Sequence, residues 1–415
     1  MTLLATTRCS CLRLVIGPLR VTGKFNNVRT MSTESAVQFE TKGNKGIITL
    51  NRPKALNALN LDMVRLIYPQ LKKWESDSKM KMVILKGAGE KAFCAGGDVR
   101  GEYFSPLILI IIINNKMHEI NQHCVPISFI AIAESGRGSP ISQDFFREEY
   151  RLNGKIGTLG IPFVSLIHGI CMGGGVGLSV HGTFRVVTEN AIFAMPETQI
   201  GFFSDVGGSY FLPRLPGKLG TYLALTGRRL KGLDIVKAGI ATHFVSSSHL
   251  NYLEDELLRI EEPNANRISH ILAKHQEQWK DDFKQEFSEK KHMGRINSTF
   301  GVDSVEKIIE ALNQDSSSWS KEVFNDLSKA SPLSLKVTFE LIKRGQKQIL
   351  PECLKMEFRV SQNILKHDDF YSGVTARLID KTNNPKWNPQ SLSDVTDSMV
   401  DSIFQKVDGV SDLNL

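Results

Sequence analysis

The chain of 415 residues predicts an α/β fold: short strands and helices alternate up to about residue 245, and a charged, helical region follows. Two further observations support this. Apolar strand-like runs, Met82-Val83-Ile84-Leu85-Lys86 and Phe163-Val164-Ser165-Leu166-Ile167, each lead into a glycine-rich turn. From Asn251 onward apolar residues recur at helical spacing, giving candidate helices at 252–261, 265–286, 303–313, 318–329, 333–344 and 351–366.

Taken in order, residues 36–51 alternate like two strands joined by Lys42-Gly43-Asn44, and Leu61 to Trp74 has helical period. The first glycine turn is Phe93-Cys94-Ala95-Gly96-Gly97-Asp98. The second, Met172-Gly173-Gly174-Gly175-Val176-Gly177, reads as a turn opening a helix. N–H groups at such a start lack acceptors, and glycine lets a ligand come close to them. Two such turns can each offer one N–H to a single oxygen. Met195-Pro196-Glu197 then ends a strand at a proline, and Asp205-Val206-Gly207-Gly208 places a second carboxylate eight residues later. Leu223 to Gly239 holds two helix patterns separated by Gly227 and Gly232.

An apolar content of 41% is ordinary for a globular protein. Five of the seven net positive charges, Arg8, Arg13, Arg20, Lys24 and Arg29, precede the first acid, Glu34. The remainder carries only +2, which is no electrostatic footprint for nucleic acid. That acid-free, Arg-, Ser- and Thr-rich leader has the composition of a mitochondrial transit peptide. The six cysteines are scattered without metal-ligand spacing, and no structural disulfide is expected.

These motifs are where the chain resembles the crotonase (enoyl-CoA hydratase/isomerase) superfamily. The agreement begins near Gly46-Ile47-Ile48-Thr49-Leu50-Asn51-Arg52-Pro53, includes Ala55-Leu56-Asn57-Ala58-Leu59, and continues to about Val245. Phe145-Phe146-Arg147-Glu148-Glu149-Tyr150, Met195-Pro196-Glu197-Thr198, Asp205-Val206-Gly207-Gly208 and Phe211-Leu212-Pro213-Arg214-Leu215 are similar to its acyl-CoA thioester hydrolases. So are Leu378-Ile379-Asp380-Lys381 and Pro385-Lys386-Trp387. The resemblance implies a crotonase-type spiral of ββα units with an extended helical C-terminal region. It divides the chain into a transit peptide (1–33), a core (34–245), a helical region (246–390) and a tail (391–415).

Residues 102–141 depart from this pattern. About thirty of them have no counterpart in the related hydrolases, and they include Leu107-Ile108-Leu109-Ile110-Ile111-Ile112-Ile113. That run is too short to span a bilayer, which needs about 20 residues, and it has the character of an aggregation-prone window. The segment is read as no working element but translated non-coding sequence retained in the gene, with a genuine lid or membrane-docking loop as the alternative.

By the same resemblance the activity is hydrolysis of 3-hydroxyisobutyryl-CoA to 3-hydroxyisobutyrate and CoA, a step of valine breakdown in the mitochondrial matrix. Gly97 and Gly174 match the two oxyanion donors. Glu197 matches the carboxylate that attacks the thioester or activates water. Asp205 matches the acceptor of the substrate's 3-hydroxyl, with a helix cap as the other reading. Glu149 matches a pocket-lining position, with a solvated helix face as the other reading. Asn57 to Leu59 and Ala95 to Asp98 are expected along the CoA, so Ala95 and Asp98 join the substrate-binding set.

Gly177 stands where hydratases carry their first glutamate, which separates this chain from them. Ser204 replaces an expected proline and Thr375 an expected arginine, while His168 and His181 read as structural. No metal or redox cofactor is implied, since CoA enters with the substrate. The expected partner is an acyl-CoA, with neither nucleic acid nor membrane. The rivals are an enoyl-CoA hydratase and a non-catalytic, mitochondrial ribosome-associated crotonase-like subunit; Glu197, Asp205 and both glycine turns disfavour the latter.

Overall fold

The expected hairpin is present: β1 (Val37–Lys42) and β2 (Lys45–Leu50) pair antiparallel, with Lys42 opposite Lys45. In the computed structural model residues 35–97 and 129–415 are described. The leader, residues 98–101 and residues 102–128 of the insert lie outside the described residues. Residues 35–415 fold as one unit.

Helix α1 (Leu61–Ser76) starts where Asn60 Oδ1 accepts from the Met63 N–H at 2.9 Å. Its Met63, Val64, Ile67, Leu71 and Trp74 are buried at the spacing of one helical face. Next come β3 (Met82–Gly87), β4 (Ala92–Cys94), α2 (Phe129–Ser135) and α3 (Pro140–Gly157). Two further strand–strand–helix units follow. One comprises β5 (Phe163–Ile167), β6 (Ile170–Met172) and α4 (Gly174–Gly177); the other β7 (Phe184–Val187), β8 (Ile192–Ala194) and α5 (Gly208–Phe211). Then come α6 (Leu219–Thr226), β9 (Leu230–Lys231), α7 (Leu233–Lys237) and β10 (His243–Phe244).

The strands form two sheets, in the orders β1-β2-β3-β5-β7-β10 and β4-β6-β8-β9. Every residue of β5 is buried, as expected for a parallel strand covered on both faces. Each unit sends its first strand to the large sheet and its second to the small one, so the chain advances as a spiral.

The helical region contains α8 (Leu250–Arg259), α9 (Ala265–Glu277), α10 (Met293–Thr299), α11 (Val305–Gln314) and α12 (Ser318–Ser328). It continues with α13 (Pro332–Gly345), α14 (Leu350–Ile364), α15 (Asp368–Val374) and α16 (Asp397–Ile403). The candidate helix 265–286 stops at Glu277, because Trp279 and Phe283 turn back edge-on to Phe244. Helix α14 packs along α3, where the Arg147 guanidinium lies 4.3 Å above the Phe358 ring. Val395, Val400, Ile403 and Leu413 of the last segment belong to the main hydrophobic core.

The described part of the insert, 129–141, contributes to the core through Ile132 and Phe129. Ile132 is fully buried, and the Phe129 ring lies 5.7 Å from Phe202 and 5.9 Å from Phe370.

Candidate active site

Gly97, Gly174 and Glu197 leave the C-terminal ends of three adjacent parallel strands. Cys94 of β4 is the register partner of Cys171 in β6, and Met172 of β6 partners Ala194 in β8. Neighbouring strands lie about 4.8 Å apart, so the three turns emerge side by side. The sequence places the glycine turns directly after the long strands. In fact the three-residue strands β4 and β6 intervene and carry both turns into the small sheet.

The two turns meet closely. A Cβ on Gly174 would lie 3.6 Å from the Gly97 nitrogen and 2.7 Å from Glu149 Oε1, and one on Gly175 only 2.2 Å from the Cys94 carbonyl oxygen. Any other residue at 175 would push the turns apart, and one at 174 would displace the Glu149 carboxyl. Neither the Gly97 nor the Gly174 N–H donates to another described residue, so both are available to a ligand oxygen. Ala95 donates to the Leu56 carbonyl at 3.1 Å and Leu59 to that of Gly96 at 2.8 Å, tying the first turn to segment 56–59. Asn57 serves as a brace, its fully buried amide donating to the Ala88 and Ala92 carbonyls.

Three carboxyl groups surround these turns. Glu149 is 2% exposed, Glu197 3% and Asp205 2%. The solvated face of α3 belongs instead to Glu148, whose carboxylate pairs with Arg65 at 2.6 Å. Tyr150, beside Glu149, donates its hydroxyl to Asp205 Oδ2 at 2.8 Å. The Asp205 carboxylate is no helix cap: the Gly208 N–H bonds its backbone carbonyl at 2.8 Å. Glu197 Oε1 sits 3.1 Å from where a Cβ of Gly173 would be, against the second turn.

Burial raises the pKa of all three groups. Glu149 titrates well above the ordinary carboxylate range because it is buried and faces Asp205 and Glu197. Glu197 is likewise raised by burial and by Asp205. Burial pushes Asp205 up to about 7 against the opposing Tyr150 hydrogen bond. Each charge among these three disfavours ionisation of a neighbour, so their titrations are coupled. Ser204, fully buried, lies near enough to Glu197 to favour the carboxylate, yet its hydroxyl makes no hydrogen bond of proper geometry.

Sequence reasoning missed the support of the Asp205 turn. Glu357, from α14, accepts from the Gly207 N–H at 2.7 Å, the Ser209 N–H at 2.9 Å and the Ser209 hydroxyl at 2.5 Å. Burial pushes it up to about 8. His181 Nε2 donates to the Val206 carbonyl at 2.8 Å; burial takes this imidazole down to about 4, so it is neutral. Together they hold Val206 at φ 51°, a left-handed conformation that β-branched residues rarely adopt.

His168 is structural too, contacting Thr188 at 3.0 Å and Glu90 at 3.1 Å. Thr375 is exposed at the end of α15. Cys94, Cys171 and Cys353 are buried free thiols. Among the described residues no His, Cys, Asp and Glu side chains group so as to hold a metal ion.

The chain belongs to the enoyl-CoA hydratase/isomerase family, whose model matches residues 45–107 and 110–404. It is 49% identical to the mitochondrial 3-hydroxyisobutyryl-CoA hydrolase of Xenopus tropicalis over 409 residues, 98% of each chain. The human protein of the same name is 49% identical over 377 residues, 91% of this chain and 90% of its own. A carnitinyl-CoA dehydratase from Mycobacterium thermoresistibile shares the fold, with a TM-score of 0.74, at 35% identity over 91% of this chain and 98% of that one.

Proposed function

We infer that this chain hydrolyses 3-hydroxyisobutyryl-CoA to 3-hydroxyisobutyrate and CoA in mitochondria, a step of valine catabolism. Near-half identity to hydrolases of that name over almost the whole chain supports the reading. So does the acid-free leader. The observation that carries it is the meeting of Glu197 and Asp205 at two glycine turns with no carboxylate at position 177. A hydratase needs a first glutamate there, and a Cβ on Gly177 would lie 2.6 Å from Val206 Cβ and 2.8 Å from Asn153 Nδ2.

In this mechanism the thioester carbonyl oxygen sits on the Gly97 and Gly174 N–H groups, and losing either donor costs about 2.7–4 kcal/mol of barrier. Glu197 adds to the carbonyl carbon and expels the CoA thiolate, after which water cleaves the anhydride; alternatively it takes the proton of an attacking water. Both routes consume one water and yield the acid and CoA. Burial, and then the Asp205 and Glu197 charges, disfavour a negative charge on Glu149 beside the developing oxyanion. Asp205 accepts the proton of the substrate's 3-hydroxyl, with Tyr150 fixing its other side.

The test is thiol release from 3-hydroxyisobutyryl-CoA by protein lacking residues 1–33. Glu197→Gln should keep the packing and the CoA-ester binding but fall below a tenth of the wild-type rate. A variant above that level would remove Glu197 from its role.

A further inference from the structure

Asn153 is a buried polar side chain of α3 that this mechanism does not use. It is 0% exposed, and neither Oδ1 nor Nδ2 has a hydrogen-bond partner. Buried polar groups are nearly always paired, because leaving one unpaired is costly to the fold.

Its position shows what it faces. Glu149, Tyr150 and Asn153 share the buried side of α3, three and four residues apart. Glu149 lies over Gly174, Tyr150 binds Asp205, and Asn153 lies over Gly177. The same point, where a Cβ of Gly177 would be, is bordered by the side chain of Val206, the residue after Asp205. The amide thus takes up the space that a side chain at 177 would need, at the Asp205 edge of the site.

Resting on the hydrolase reading above, we propose that Asn153 is a specificity-determining residue that donates, through its amide, to the substrate's 3-hydroxyl oxygen. Asp205 accepts the hydrogen bond of the hydroxyl, which leaves the hydroxyl oxygen's lone pairs without a donor among buried side chains. A Lys or Arg there would pair with the carboxylates; a neutral amide supplies the donor without neutralising them. An acyl group lacking the hydroxyl would leave two buried groups unpaired instead of one, and a site of this kind discriminates strongly against it.

Asn153→Leu tests this, because leucine has nearly the same skeleton without polar atoms. The expected result is a loss of about 10- to 100-fold in kcat/KM for 3-hydroxyisobutyryl-CoA, with isobutyryl-CoA changed by less than about threefold. The melting temperature should hold or rise, since an unpaired buried amide is removed. Asn153→Ala should show the same loss of selectivity with a lower melting temperature from the cavity. Equal losses on both substrates would overturn the proposal. So would a leucine variant that fails to fold, which would assign the amide to the scaffold. A wild-type protein releasing no thiol would overturn the hydrolase reading as well; normal wild-type turnover with unaltered selectivity in both variants would overturn this inference alone.

Discussion

At the scale of single residues, the site depends on where protons reside. Glu197 must be ionised to act as nucleophile or base, and burial and then the Asp205 charge raise its pKa. Activity should therefore fall as pH drops through a limb lying above the ordinary carboxylate range. Asp205→Asn removes the charge that disfavours ionisation, so that limb should move to lower pH. The same variant should lose more kcat/KM on 3-hydroxyisobutyryl-CoA than on isobutyryl-CoA. A pH–rate profile on each substrate checks both statements, and equal losses on the two would make Asp205 a support of the loop and not a contact. Both the glycine turns and the carboxylates were legible as sequence because their chemistry lies in short contiguous motifs. Tyr150 and Asn153 were not, because which face of α3 points inward is decided by the helices packed on it.

At the scale of elements, sustained periodicity was informative and brevity was not. The hairpin, α1 and most C-terminal helices stand within a few residues of the pattern that announced them. Strands of three residues, such as β4, β6 and β8, are too short to show alternation, so the small sheet could not be read. The link from α14 to the Asp205 turn was equally hidden, since Glu357 belongs to no motif. Glu357→Gln leaves one acceptor oxygen, so one of the Gly207 and Ser209 N–H groups loses its partner, at about 1–3 kcal/mol. The pH dependence follows from the raised pKa. Folded Glu357 holds its proton up to about 8, whereas the unfolded chain releases it near 4.5. Its contribution is complete below 4.5 and is lost as pH rises through about 8. The deficit of Glu357→Gln should thus be largest near pH 5 and shrink by pH 9, which melting curves at the two pH values measure. A constant deficit would mean that Glu357 keeps an ordinary acidity.

At the scale of the whole molecule, residues 98–128 are bounded by groups that touch each other: a Cβ on Gly97 would lie 3.5 Å from the Phe129 ring. A segment between ends that already lie together tolerates length changes well, since doubling the length of a flexible connection costs only about 0.6 kcal/mol. Replacing residues 103–128 by a short flexible link should keep the hydrolase rate and raise soluble yield by removing the isoleucine run. Cutting on to residue 138 should instead inactivate the protein, because α2 and its buried Ile132 would go. Soluble expression and initial rates of the two deletions settle the matter. A dead 103–128 deletion beside a working full-length chain would make that segment a functional part.

The Glu357 brace also bears on how the protein is made. Every residue assigned to chemistry lies at or before position 205, yet the turn holding the last of them is fastened by a residue 150 positions further along the chain. During synthesis the ribosome releases the reacting groups long before their fastening. A polypeptide cut short before α14 would bear the full set of reacting groups and still lack a fixed Asp205. Catalysis here therefore requires a chain that reaches α14, and protein cut short anywhere before Glu357 should release no thiol from 3-hydroxyisobutyryl-CoA.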